Sequence, residues 1–137
     1  MTRTVGGLHH IALGSADVER LAAFYRDVVG LVELGRHFHD AGGLRSVWLD
    51  LGLAILMIEH TDEPARRVEH MAAGPFLLAF RVTPSERSRL ESVLAGLGIA
   101  IESRTAFTSY ARDVDGNRIA FSHHPEAALP ATSGSAG

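Results

Sequence analysis

The sequence predicts an α+β fold in which two βαβββ modules form a cupped, mostly antiparallel sheet with the helices on the outside. Three observations carry that prediction. Both halves of the chain read strand, helix, strand, strand, strand. The halves align with each other, His10-Ile11-Ala12-Leu13 matching Leu77-Leu78-Ala79-Phe80, and each helix stops on a glycine, Gly30 or Gly98, at a corresponding place. A unit that cannot bury its own sheet face has to pack on its twin, so a duplication of this kind implies paired modules.

The first strand is read at Leu8 to Leu13. Ser15-Ala16-Asp17 then offers N-cap oxygens, and Val18, Leu21, Ala22, Tyr25, Val28 and Val29 follow at helical spacing, so a helix is expected over Asp17–Val29 with Gly30 as its stop. Leu31 to His39, Leu44 to Leu51 and Leu53 to His60 are the next strands, with Ala41-Gly42-Gly43 and Gly52 as turns. Residues 61–74, with Pro64 and an Ala/Arg-rich stretch, read as a connector between module one (8–60) and module two (75–125). Module two opens on a strand at Phe76 to Val82. Thr83-Pro84-Ser85-Glu86 is a capping box with Pro at the first helical position, so a helix is expected over Ser85–Leu97 with Leu90, Val93, Leu94 and Leu97 as its apolar stripe. Strands follow at Ile99 to Ser103, Thr108 to Asp113 and Asn117 to His123, the last two joined by a hairpin turn at Asp115-Gly116. Positions 1–125 thus form one domain, and the Ala/Ser/Gly-rich segment 126–137 reads as a disordered tail.

Composition narrows the chemistry. With 46% hydrophobic and 21% charged residues the chain is an ordinary globular one. It has no cysteine and no lysine, which excludes thiolate nucleophiles, Cys-bound metals and side-chain Schiff bases. A net charge of −3 without a basic run argues against nucleic acid as a partner. The longest apolar run, Leu51 to Ile58, is far short of the ~20 residues a membrane span needs. Met1 to Gly7 contains no apolar signal segment, so a cytoplasmic protein is expected.

Eight histidines remain as the groups that titrate near neutrality. His37 and His39 have the spacing of two ligands on one strand face but lack a third, and a polar strand end is the plainer reading. His123-His124 reads as a strand terminus. Asp113-Val114-Asp115-Gly116-Asn117 resembles a calcium loop, yet the position for its bidentate Glu is Ser122, which leaves a turn. Ser109 and Ser122 have no evident base partner. Trp48 reads as sheet packing or as a stacking wall for a planar ligand.

The segments LHHIALGSADVERLAAFYRDVVGL and RDVDGNRIAF, within the doubled βαβββ pattern, resemble the vicinal oxygen chelate superfamily, which includes glyoxalase I, bleomycin-resistance proteins, fosfomycin-resistance enzymes and extradiol dioxygenases. The resemblance runs from Leu8 to about Pro125. It implies a homodimer, and in the metalloenzymes of the superfamily one divalent cation held from the first and last strand of each module. Carried over, these positions fall on His10, Leu56, Leu77 and Ala120, of which only His10 has a donor atom. No cofactor is therefore expected, and a divalent metal is disfavoured. Strand alternation places Ala12, Ala54, Leu56, Ile58, Leu77, Ala79, Ala120 and Ser122 on the face of His10. The opposite face then collects Ile55, Met57, Leu78, Phe80, Ile119 and Phe121.

The function expected is sequestration of a small apolar or aromatic molecule, as in the bleomycin-resistance branch. His10, Trp48, Leu56, Leu77, Arg81, Arg118, Ala120 and Ser122 are the ligand-binding candidates. His10 is expected to be buried, with one nitrogen bonded to the protein or water and the other facing the ligand. The competing class is a lyase, isomerase or dioxygenase-type enzyme with His10 as catalytic base or metal ligand.

Overall fold

The structure, a computed structural model, describes residues 4–125, so the expectation for 126–137 lies outside the described residues. The chain divides into two compact units, Met1–Ala65 and Arg66–Gly137, with the boundary inside the segment read as the connector. The first unit runs β1 (His10–Ser15), α1 (Val18–Ala23) continued by a wider π-helical turn at Phe24–Val29, β2 (Glu33–Phe38), β3 (Leu44–Asp50) and β4 (Ile55–His60). The second runs β5 (Leu78–Arg81), α2 (Pro84–Gly96), β6 (Ser103–Arg104), β7 (Thr108–Arg112) and β8 (Arg118–Ser122). Each unit is a four-stranded sheet of the same order, β1-β4-β3-β2 and β5-β8-β7-β6. The first and last strands pair in parallel and the other neighbours antiparallel. The predicted α+β class and βαβββ order are those observed. No helix among the described residues is long and apolar enough to cross a membrane.

Local chemistry sets the helix ends. The Asp17 carboxylate accepts from Arg20 N–H, and Ser15 Oγ accepts from Asp17 N–H. Gly30 closes the segment with φ 98, a conformation that costs glycine little. The turn before it is wider than the sequence predicts: Gly30 N–H donates to the Tyr25 carbonyl five residues back, at 3.0 Å. Both Phe24 and Tyr25 are buried by it. At α2 both arms of the capping box form, Glu86 N–H donating to Thr83 Oγ1 and Thr83 N–H to Glu86 Oε1. Ile99 N–H donates to the Leu94 carbonyl to finish that helix, which leaves β6 only Ser103–Arg104 of the strand expected from Ile99.

Each helix lies on one face of its own sheet. In the first unit Val18, Leu21, Ala22, Phe24 and Tyr25 are buried, as are Val47, Leu49, Leu56 and Ile58 on the strands. Arg36, which shares the row of Val47 and Ile58, donates to Glu19 on α1 and Glu33 on β2, both at 2.8 Å. Arg26 reaches the same Glu33 carboxylate at 3.0 Å. In the second unit Leu90 and Leu94 are buried, as are Ile119 and Phe121. Arg87 donates from α2 to Ser109 Oγ at 2.6 Å and to the carbonyls of Thr105, Ala106 and Thr108, and its Nη1 lies 3.1 Å from His123 Nε2. Glu91 takes Arg104 at 2.9 Å and the hydroxyl of Ser109.

The Arg36 and Arg26 guanidiniums hold the Glu33 carboxyl down at about 2, from an ordinary 4.5. The unfolded chain therefore binds a proton at Glu33 that the folded chain refuses. This contribution is complete above pH 4.5 and is lost as pH falls towards 2. Denaturant unfolding of wild type should weaken over that interval more steeply than unfolding of Glu33→Gln; parallel acid limbs would show that Glu33 is not the group responsible.

Candidate functional site

Strand register determines which side chains share the sheet face turned away from each helix. In the first unit His10 pairs with Ile55 and Ile55 with Asp50; Ala12 pairs with Met57, Met57 with Trp48 and Trp48 with Gly35; Glu59 pairs with Ser46 and Ser46 with His37. Paired residues project to the same side of a sheet. The face away from α1 thus carries Trp48 and Met57 at its middle, with His10 and Ala12 exposed along the β1 edge and His37 beside Trp48 on β2. The His37 and Trp48 rings lie 4.7 Å apart at 54°. Their Nε2 and Nε1 atoms are buried and have no hydrogen-bond partner among the described residues.

Two expectations for this unit are overturned. Leu56 pairs with Ile11 and Leu49, so it lies on the helix side, fully buried, rather than on the face of His10. Ile58, read as its neighbour on that face, goes with it, while Ile55 and Met57 take the opposite face from the one expected. His10 is exposed rather than buried, and its Nδ1 sits 2.9 Å from Nδ1 of His9. His39 meets His60 edge to face at 5.5 Å, and His60 lies 3.3 Å from Asp62. His60 pairs with Ser15, on the opposite face from His10.

In the second unit the sequence parity is the one observed. Ala79 pairs with Ala120 and Ala120 with Tyr110; Arg81 pairs with Ser122 and Ser122 with Thr108; Arg118 pairs with Arg112. Leu78, Phe80, Ile119 and Phe121 take the α2 side, where Ser109 meets Arg87 and Glu91. Leu77 immediately precedes β5, with the alternation of Ala79 and Arg81. On the face away from α2, Ser122 Oγ and Thr108 Oγ1 are 2.8 Å apart. Arg118 lies over the Phe76 ring at 5.7 Å, and Arg81 is exposed. Arg112 is not available to a ligand: it donates to the Val68 carbonyl at 2.6 Å and the Gly116 carbonyl at 3.0 Å, and it pairs with Glu102. The calcium-like loop is a side-chain-closed turn, in which Asp113 Oδ1 accepts from the N–H groups of Asp115 and Asn117, both at 2.9 Å.

Sequence reading set His37 aside as a polar strand end, and it missed Met57 and Tyr110. Met57 stands to Ala12 as Ala120 stands to Ala79, and Trp48 stands to Met57 as Tyr110 stands to Ala120. The duplication itself held that signal, since aligning the last strands on the first would have selected Met57 over Leu56.

Residues 7–121 match the family model of the Glyoxalase/Bleomycin resistance protein/Dioxygenase superfamily. The chain belongs to this superfamily. Solved structures of similar fold include lactoylglutathione lyase from Agrobacterium tumefaciens, 22% identical, covering 89% of this chain and 96% of that one with a TM-score of 0.63. A glyoxalase family protein from Enterococcus faecalis is 22% identical over 86% of this chain and 98% of its own, with a TM-score of 0.68. The fosfomycin resistance protein FosX from Listeria monocytogenes, solved with Mn(II) and sulfate ion, is 17% identical over 90% and 96%, with a TM-score of 0.71. No curated protein sequence matches the chain significantly.

The residues present do not fit the divalent cation of the superfamily's metalloenzymes. With Met57 in place of Leu56, the corresponding positions hold His10, Met57, Leu77 and Ala120. Two are hydrocarbon side chains, and a thioether is a soft donor that suits Cu(I) rather than Mn²⁺, Ni²⁺ or Zn²⁺. Among the described residues no group of three or more His, Asp or Glu side chains could hold a metal ion together.

The two faces of β4 should respond differently to truncation. Leu56→Ala, which opens a cavity beneath α1, should cost about 2–5 kcal/mol. Met57→Ala on the half-exposed face should cost clearly less. Equal losses in denaturant midpoint would contradict this placement of β4.

Proposed function

We propose that this chain is a small-molecule-binding member of the superfamily that works without the family metal. It holds an apolar or aromatic ligand on the sheet faces turned away from its helices, in bleomycin-resistance-like sequestration. The observation that carries the reading is the surface around Trp48. There an indole and a thioether lie side by side, Ala12 and Gly35 leave room at either end of their row, and two ring nitrogens await partners. Apolar walls with a few directional polar groups are what small-molecule sites are made of. In the second unit Ala79, Ala120 and Tyr110 form the corresponding row, with Leu77 two residues before Ala79, and Arg81, Arg118 and Ser122 supply polar contacts.

Trp48 is the chain's single tryptophan, so its fluorescence reports on this face alone. A screen of small aromatic compounds should yield saturable changes in that emission, with matching increases in melting temperature. Failure of every compound to do either would overturn the reading. Titration with Mn²⁺, Zn²⁺ or Ni²⁺ should leave both signals unchanged; tight metal binding lost on His10→Ala would overturn the metal-free part.

The enzymatic alternative rests on His10. Its Nδ1 contact with His9 orients an exposed imidazole, an arrangement suited to proton transfer in a lyase or isomerase. Chemical conversion of a bound compound, abolished by His10→Gln, would favour this reading over sequestration.

A homodimer is proposed with the same role. Leu8, Leu34 and Leu53 are exposed and border one depression of the first unit, an apolar surface suited to a second copy. Light scattering at micromolar concentration should return twice the chain mass, and a monomer would refute it.

A further inference from the structure

His37 Nε2 and Trp48 Nε1 are buried polar atoms without a hydrogen-bond partner among the described residues. They are also neighbours. Trp48 pairs with Gly35, His37 with Ser46 in the next row, and the two rings stand 4.7 Å apart. Native chains leave few buried donors unpaired, because each such group has given up its water without recompense. The indole N–H can only donate; an imidazole nitrogen donates in one tautomer and accepts in the other. A partner that satisfies Trp48 must therefore offer an acceptor, and an acceptor with two lone pairs can take both nitrogens at once.

Charge on the same face narrows the acceptor further. The register places Asp50 and Glu59 on it, and none of the strand residues placed there is an arginine. Arg36 alternates to the helix side and is engaged there by Glu19 and Glu33. On this face a carboxylate or phosphate ligand would meet like charge and no arginine of the strands placed there, whereas a neutral carbonyl oxygen meets neither difficulty.

We propose that His37 and Trp48 form an acceptor-reading pair, and that the ligand is a neutral aromatic compound bearing a carbonyl oxygen on or next to its ring. The oxygen accepts from Trp48 Nε1–H and from His37 in its Nε2–H tautomer, while the ring rests along the Trp48–Met57 row. This rests on the reading that the face binds aromatic molecules and names the class of molecule it selects.

Three probes of nearly one shape separate the terms: acetylnaphthalene, ethylnaphthalene and naphthoate, titrated calorimetrically into the full chain. Acetylnaphthalene should bind about five- to tenfold tighter than ethylnaphthalene, the worth of one or two neutral hydrogen bonds. Naphthoate should bind more weakly than acetylnaphthalene. Trp48→Phe keeps an aromatic wall but removes the donor, and it should bring acetylnaphthalene down to the level of ethylnaphthalene; His37→Leu should remove part of the advantage. A measurement on wild type needs no variant to fold. The single indole N–H resonance should move downfield with acetylnaphthalene and not with ethylnaphthalene. Equal affinity of the acetyl and ethyl probes would overturn the acceptor-reading pair while leaving aromatic binding intact. Tightest binding by naphthoate would overturn the neutral class. No binding by any probe would overturn this proposal, and the wider fluorescence screen would then decide the reading beneath it.

Discussion

The parallel pairing of first and last strand within each unit is the constraint on which the site depends. It sets β1 beside β4 and β5 beside β8, and with them the level at which every side chain of the sheet meets its neighbours. Because side chains alternate, that one relation decides which half of each strand goes under a helix and which half faces away. On the helix side it collects Leu49, Leu56 and Ile58 in one unit and Ile119 and Phe121 in the other, all fully buried. On the other side it leaves His10, Trp48 and Met57, or Ala79, Tyr110 and Ala120. A slip of one residue in either pairing would exchange the core for the candidate site.

A chain without lysine holds these elements in place with the planar forks of arginine. Arg36 and Arg26 join α1 and the turn after it to β2 through a shared Glu33. Arg87 gathers the carbonyls of Thr105, Ala106 and Thr108 and the Ser109 hydroxyl onto α2. Arg112 gathers Val68 and Gly116 carbonyls onto β7. Each uses several donors in fixed directions, which a lysine ammonium on a flexible stem could not reproduce. The donors of these four arginines are committed to the fold.

The superfamily supplies a scaffold more than a reaction, and this chain illustrates how the two separate. The doubled unit of the fold is retained, while the strand positions that carry metal donors in the superfamily's metalloenzymes hold Met57, Leu77 and Ala120. What replaces them on the first unit's free face is an aromatic and thioether surface with polar ring atoms at its edge.

Local signals were enough for the sequence to determine the order of elements, the capping box at Thr83 and Glu86, the stop at Gly30, the Asp115-Gly116 turn and the faces of β5 and β8. In each case the deciding contact lies within a few residues, or the strand alternates visibly between residue types, as Ala120 between Ile119 and Phe121. The run Ile55-Leu56-Met57-Ile58 has no such contrast. Four apolar residues in succession fit either parity, and only pairing with β1 and β3 assigned Met57 to the free face and Leu56 to the core. The π-helical turn, the exposure of His10 and the meeting of His37 with Trp48 were likewise decided by tertiary structure. They depend on which strands become neighbours, and that is settled by burying a whole sheet face, a sum over residues too far apart in sequence for any local pattern to record.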